Sequence, residues 1–127
     1  MTKRIINSDN APAPIGPYSQ AVMAGDILYI SGQIPFDQVT GEMINENITE
    51  ETHQVMKNIE AILSEAGLGF EHIVKCSIFI KDMNLFSTIN EAYGIYFKTN
   101  PPARETVEVA RLPKDVNVEI SCIAVKG

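Results

Sequence analysis

Arg104 is the residue whose setting first suggests chemistry. It follows Asn100-Pro101-Pro102-Ala103, a stiff run, and opens a stretch of strand character. A guanidinium held by rigid backbone can clamp a carboxylate with two parallel hydrogen bonds, which the point charge of a lysine cannot do. The commoner fate of an arginine is a surface ion pair. Glu119 lies inside the apolar last segment. A partly buried carboxylate there can position water; the alternatives are an edge position facing water or an ion pair with Arg104 or Arg111. Tyr18 follows Gly16-Pro17 in a proline-rich loop, where it offers a ring or hydroxyl to a pocket or packs as a lid on the core. Ser31 stands at a strand end before Gly32, where its hydroxyl can face a cleft.

Other reactive types form no constellation. His53 falls on a helix, His72 just before a strand, and neither Cys76 nor Cys122 has partners at ligand spacing, so no metal is expected. Both thiols occupy apolar strand positions, where burial and a raised pKa argue against a Cys/His nucleophile pair. Gly67-Leu68-Gly69 follows a helix instead of opening one, and no Gly-Lys-Ser/Thr occurs, so there is no phosphate loop.

The elements that must position these residues are legible in the periodicity. Lys3 to Asn7 reads as a short strand. Asn10 to Pro17 is an irregular, stiff loop with three prolines. Gln20 to Ala24 and Ile27 to Ser31 form a hairpin across Gly25-Asp26. Asn47 to Ala66 is the clearest helix, with Val55, Met56, Ile59, Ile62, Leu63 and Ala66 on one face, Asn47 or Thr49 as cap, and Gly67 as stop. Val74 to Ile80 is a strand with Val74, Cys76, Ile78 and Ile80 facing one way. A second helix spans Met83 to Phe97 with Asp82 as cap and Phe86, Ile89, Tyr93 and Tyr96 as its buried stripe. Arg104 to Ala110 and Val118 to Val125 complete the strands. The last is apolar on both faces, which predicts a central position or a subunit interface. The order β-β-β-α-β-α-β-β predicts an α+β fold with two helices on one face of a mixed sheet. No chain remains to cover the other face, so self-association is expected.

The chain has 127 residues, 45% apolar and 20% charged, which suits one domain, residues 1–127, that buries enough surface to fold without disulfides or metal. No segment reads as a signal peptide or membrane span, the two cysteines suggest no oxidising compartment, and Asn47-Ile48-Thr49 is read as a chance sequon. A cytoplasmic protein is expected. The net charge of −6, with ten scattered Lys and Arg, argues against a nucleic-acid partner.

Several segments in order resemble the Rid family, the reactive intermediate deaminases, also called YjgF-type proteins, some of whose members are labelled L-PSP endoribonucleases or translation initiation inhibitors. The resemblance lies in Ala11-Pro12, Ile15 to Gln20, Ser31 to Pro35, Lys81 to Asn84, Ile89-Asn90, Pro102-Ala103-Arg104, Val107 to Asp115 and Val118-Glu119-Ile120. It spans about Ala11 to Val125. It implies a chorismate-mutase-like fold and a homotrimer whose sheets pack around a central barrel, with sites in the clefts between subunits. The implied activity is hydrolysis of 2-iminobutanoate and 2-iminopropanoate to 2-keto acids and ammonium, without a cofactor. Arg104 would then bind the substrate carboxylate and Glu119 would orient or activate water. Tyr18, Ser31 and Asn90 would line the pocket, with Tyr18 reaching into a neighbouring subunit's cleft and the Thr106 backbone facing the substrate.

Three positions depart from the resemblance. Glu105 and Thr106 stand where many relatives have Ser and Cys, and Ser121 stands where a second carboxylate is common. Strand geometry predicts that Glu105 points away from Arg104. Two other functions compete with the deaminase: a non-catalytic module that senses small metabolites through the same clefts, and an endoribonuclease or translation inhibitor.

Overall fold

The computed structural model describes residues 2–127. Six strands form one sheet in the order β1-β2-β3-β8-β6-β7. Their ranges are β1 Lys3–Ile6, β2 Ala21–Ala24, β3 Ile27–Gln33, β6 Ile73–Ile80, β7 Ala103–Glu108 and β8 Val118–Val125. All pairings are antiparallel except β6 with β7, which is parallel. A parallel pair needs a crossover, and α2, Phe86–Gly94, supplies it. Helix α1, Ile48–Glu65, is capped by the Asn47 side chain, which accepts from Glu50 N.

Alternation along the strands sets the two faces of the sheet. In β8, Val118, Ile120, Cys122 and Ala124 are buried, whereas Glu119, Ser121, Ile123 and Val125 are only partly covered. The buried set packs with Val55, Met56, Ile59, Ile62 and Leu63 of α1 and Ile89 and Tyr93 of α2 in a single core. Each large apolar side chain taken from water there contributes about 2 kcal/mol. The expected two helices on one face are therefore observed, and β8 is central, between β3 and β6.

The opposite face stays open and partly apolar. The register runs Ile5–Val22–Tyr29–Ile123 across four strands, and Tyr29 and Ile5 are about half exposed. A second row, two residues along β8, is Ser121–Ser77–Glu105, and the next is Glu119–Phe79–Val107.

The structure corrects four details. Val74 is exposed and Ile73 is buried in its place, because the pairing with β8 slips between Ile73 and Lys75. The second helix is shorter than expected: Met83–Leu85 is a 3₁₀ turn capped by Asp82, α2 ends at Gly94, and Tyr96 and Phe97 lie beyond it. Strand β7 ends at Glu108, before Ala110. A small hairpin, β4 Phe36–Asp37 with β5 Glu42–Met43, occupies a stretch with no strand signal.

Two buried polar residues tie loops to this frame. Gln20 Nε2 donates to the carbonyls of Ser8, Ala11 and Pro12, and its Oε1 accepts from Ser8 N, which holds the proline-rich loop in place. Glu51 is fully buried and accepts from the backbone N and side chain of Asn117 at 2.6 and 2.9 Å. That carboxylate fixes the entry to β8, two residues before Glu119.

Candidate functional site

Arg104 sits on the helix-covered side of the edge strand. It is paired in register with Cys76, whose side chain is in the core. Asn100, in the left-handed region at φ 51°, turns the chain into Pro101-Pro102 and so into β7. The guanidinium lies 5.2 Å from the Tyr93 ring centroid and 5.6 Å from that of Phe86. Its Nη1 donates to Asn90 Oδ1 at 2.5 Å. Contact with two rings and one hydrogen bond from Nη1 leave the remaining guanidinium N–H groups for a ligand. An exposed cavity of about 440 Å³ opens there, lined by Asn90, Tyr93, Phe97, Pro101, Pro102 and Arg104. Among the described residues no carboxylate forms an ion pair with Arg104. The surface-pair alternative applies instead to Arg111, which binds Asp115.

Glu105 points to the other face, as strand geometry predicts. Lys75 Nζ lies 3.0 Å from its carboxylate, and Ser77 Oγ donates to it. It does not neutralise Arg104. Thr106 returns to the Arg104 side, opposite Ile78, with its hydroxyl covered and unpartnered.

Glu119 belongs to a second cluster. Its register partner is Phe79, on the open face, so within one chain Glu119 and Arg104 stand on opposite sides of the sheet. A cavity of about 420 Å³ is lined by Ile15, Tyr18, Ser31, Gly32, Ile34, Pro113 and Glu119. Burial pushes the Glu119 pKa up from the ordinary carboxylate value, because removing water penalises the charged form. Ser31 Oγ donates to Ser19 O at 2.6 Å, so its proton is committed and the oxygen can only accept from a ligand. The Tyr18 hydroxyl accepts from Ile15 N at 3.4 Å, which folds the loop back on itself and leaves the ring half exposed.

The six residues singled out in the sequence thus fall into two groups. Arg104, Asn90 and Thr106 share one side of the sheet, while Tyr18, Ser31 and Glu119 share a cavity on the other. Three further contributors escaped the sequence reading as site residues. Phe86 and Tyr93 were assigned only to the core, yet they form the seat of the guanidinium. Gly32 is the second kind of omission: a Cβ there would overlap the Glu119 carboxylate. A glycine inside a strand marks a close approach, but the expected strand stopped at Ser31, whereas β3 runs on through Gly32 to Gln33. Gly32→Ala is expected to swing Glu119 out of its position and lower any turnover that depends on it by about 10-fold or more, given that small misplacements cost up to about 10²-fold. Steady-state kinetics on the folded variant would check this, and an unchanged kcat would remove Glu119 from the chemistry.

The histidines are structural. His53 Nδ1 is 2.7 Å from the Tyr96 hydroxyl, and His72 Nδ1 accepts from Gly69 N. Among the described residues, no helix is long and apolar enough to cross a membrane.

With this geometry in hand, the comparisons with known proteins are specific. Residues 8–126 match the family described as Endoribonuclease L-PSP. A RutC family protein of Pyrococcus horikoshii is 52% identical over 98% of both chains. The human 2-iminobutanoate/2-iminopropanoate deaminase is 43% identical over 100% of this chain and 93% of its own. A Rid family structure from Yersinia pestis superposes with a TM-score of 0.95 at 50% identity, covering 98% of this chain and 99% of that one. Escherichia coli TdcF, solved with bound serine, gives 0.93 at 42% identity, over 98% and 99%. Similarity of sequence and fold over almost the whole chain establishes that this protein belongs to the Rid family, the group that also carries the names YjgF, RutC and endoribonuclease L-PSP.

Proposed function

We propose that this protein hydrolyses small 2-imino acids to 2-keto acids and ammonium, in clefts formed where the Arg104 side of one subunit meets the Glu119 side of the next. The observation that carries this reading is the division of the site: an unpaired guanidinium held by Asn90 and two rings, and a half-buried carboxylate in a separate cavity on the open face. Neither half is sufficient alone. The open face, with exposed Tyr29, Ile5 and Val107, supplies an apolar surface for assembly. A closed three-fold ring joins unlike patches of successive copies, and the homotrimer belongs to this proposal.

The chemistry asks little of the protein. Water adds to the C=N carbon, and the resulting carbinolamine expels ammonia as its hydroxyl loses a proton. Arg104 anchors the substrate carboxylate, Asn90 orients the guanidinium, and Glu119 takes a proton from the attacking water and returns it to nitrogen. One positioned acid–base group contributes about 10²–10⁴-fold, which suffices for a bond as labile as an imine. The raised pKa of Glu119 suits a group that must both accept and donate. Tyr18 and Ser31 line the water side, and Thr106 offers its backbone to the substrate. No cofactor is needed. The human relative's name and the serine bound by TdcF support an amino-acid-like ligand. The nucleolytic function in the family's description finds less support in this chain, whose net charge is −6.

The test is a coupled assay. A threonine dehydratase generates 2-iminobutanoate in the presence of semicarbazide, and 2-ketobutanoate release is followed against semicarbazone formation. The protein is expected to divert the imine to keto acid, and Arg104→Ala is expected not to. Binding of 2-ketobutanoate without any effect on the partition would favour a metabolite-sensing module.

A further inference from the structure

Beneath the Arg104 seat lies a pair of groups that the proposed reaction does not use. Cys76 on β6 and Cys122 on β8 are directly opposite in the antiparallel register, and their Sγ atoms are 3.4 Å apart. Both are free, and their exposures are 0% and 3%. Buried cysteines are commonly inert packing, but two thiols in van der Waals contact on paired strands are already arranged for a bond. The Tyr93 hydroxyl is covered and lies against Cys76. The guanidinium of Arg104 lies 5.2 Å from the centroid of the same ring.

We propose that Cys76 and Cys122 form a redox-modification site, a dithiol that a peroxide converts to a cross-strand disulfide under the arginine. The Cys76 thiolate attacks one peroxide oxygen, the O–O bond breaks, and the released hydroxide takes a proton to leave as water. Cys122 then gives up its proton and attacks the sulfenic sulfur, the S–O bond breaks, and a second water departs. Two thiols are oxidised and one peroxide is reduced, with no other reactant. The order of attack follows from the surroundings. Hydrogen bonding from Cys122 and then Tyr93, with the Arg104 charge, lowers the Cys76 pKa against the opposing effect of burial, whereas the bond to Cys76 and burial raise that of Cys122.

Access comes from the neighbouring elements. Helix α2, whose Tyr93 lies against Cys76, has nine residues and no side-chain cap at its start, and the 3₁₀ turn Met83–Leu85 before it has three. Such elements open locally at less cost than global unfolding, and opening them uncovers Cys76. Bond formation draws the sulfurs to about 2.05 Å, withdraws the thiol from Tyr93 and so reaches the ring on which Arg104 lies. The site is defined by the thiols alone and does not depend on the imine reading.

The test is mass spectrometry of the native protein after brief exposure to hydrogen peroxide. The expected product is a single chain lighter by two hydrogen atoms. Trypsin should release Cys76–Lys81 linked to Asp115–Lys126, and dithiothreitol should separate them. In Cys122→Ala the link is replaced by a Cys76 sulfenic acid that dimedone traps. Should that variant fail to fold, the wild-type digest decides alone. Oxygen adducts without the linked peptides, no reaction at all, or a link that forms only after urea has unfolded the chain would each overturn the proposal.

Discussion

Arg104→Ala and Glu119→Gln are each expected to be nearly inactive alone, and to recover activity when the two are co-expressed in one assembly. Removing the arginine from a desolvated carboxylate contact costs about 3 kcal/mol, on the order of 10²-fold in kcat/KM. Neutralising the carboxylate removes about 10²–10⁴-fold. The register places Arg104 opposite Cys76 and Glu119 opposite Phe79, and those two β6 residues face opposite ways. In the assembly proposed above, a cleft between subunits draws its arginine from one copy and its glutamate from another. In an equal mixture, about a quarter of such clefts receive an intact half from each variant. Activity should rise to roughly a quarter of wild type, far above either variant's residue. Subunits carrying different affinity tags make the mixed species separable. If purified mixed assemblies stay as inactive as their parents, the two residues act within one chain or not at all, and the shared-cleft arrangement is wrong even where the wild type is a deaminase.

Arg104→Lys sharpens the same point. It keeps the charge but loses the planar fork, and its slimmer head cannot lie flat between Phe86 and Tyr93 while donating to Asn90. A lysine that restored full kcat/KM would show that charge alone is required.

That division of the site explains what a single sequence could and could not convey. Periodicity located α1 by its apolar stripe and the six strands of the main sheet by alternation or short apolar runs between turn signals. It placed Glu105 opposite Arg104 by parity alone, and the ion pair with Lys75 bears this out. It erred at Val74, because a slip in pairing has no mark in the apolar pattern. It missed β4 and β5, whose two-residue strands are too short for any period. It extended the second helix through Tyr96 and Phe97, since aromatic residues packed beyond a helix end look like further turns of it.

The candidate residues were visible by type and by resemblance, but their distribution between two faces was not. That depends on which strands are neighbours, and β7 and β8 both flank β6 only because α2 returns the chain parallel to it. The aromatic seat of Arg104 was hidden for a related reason. Phe86 and Tyr93 fit a core stripe, and only the three-dimensional position of β7 brings a guanidinium onto them. The dithiol was likewise legible only as two separate buried cysteines, since register is needed to set Cys76 against Cys122.

Glu119→Gln is expected to do two opposite things: to abolish most of the turnover and to raise the Tm at neutral pH. The reasoning starts from burial. Partial removal from water raises the Glu119 pKa above the ordinary carboxylate value, so the folded chain holds this proton more firmly than the unfolded one does. Between the unfolded and folded pKa values the folded state binds more protons, and stability falls as pH rises through that window. Above it the whole cost of burying the charged carboxylate is present. Below the unfolded pKa the group is protonated in both states and costs nothing. Glutamine keeps the shape under Gly32 and carries no charge at any pH, so the variant escapes the cost where the wild type bears it. The Tm difference between the two proteins should therefore be largest near pH 7 and shrink as pH falls through the carboxylate range, and the deficit in kcat should narrow over the same range as the wild type protonates and loses its base. A site kept for chemistry at the expense of stability behaves in this way. A carboxylate that only braces the fold would give the reverse sign, with Glu119→Gln less stable at pH 7 and its activity changed only in proportion to the fraction unfolded. Thermal melts and kcat measured on the same samples from acid to neutral pH separate the two cases.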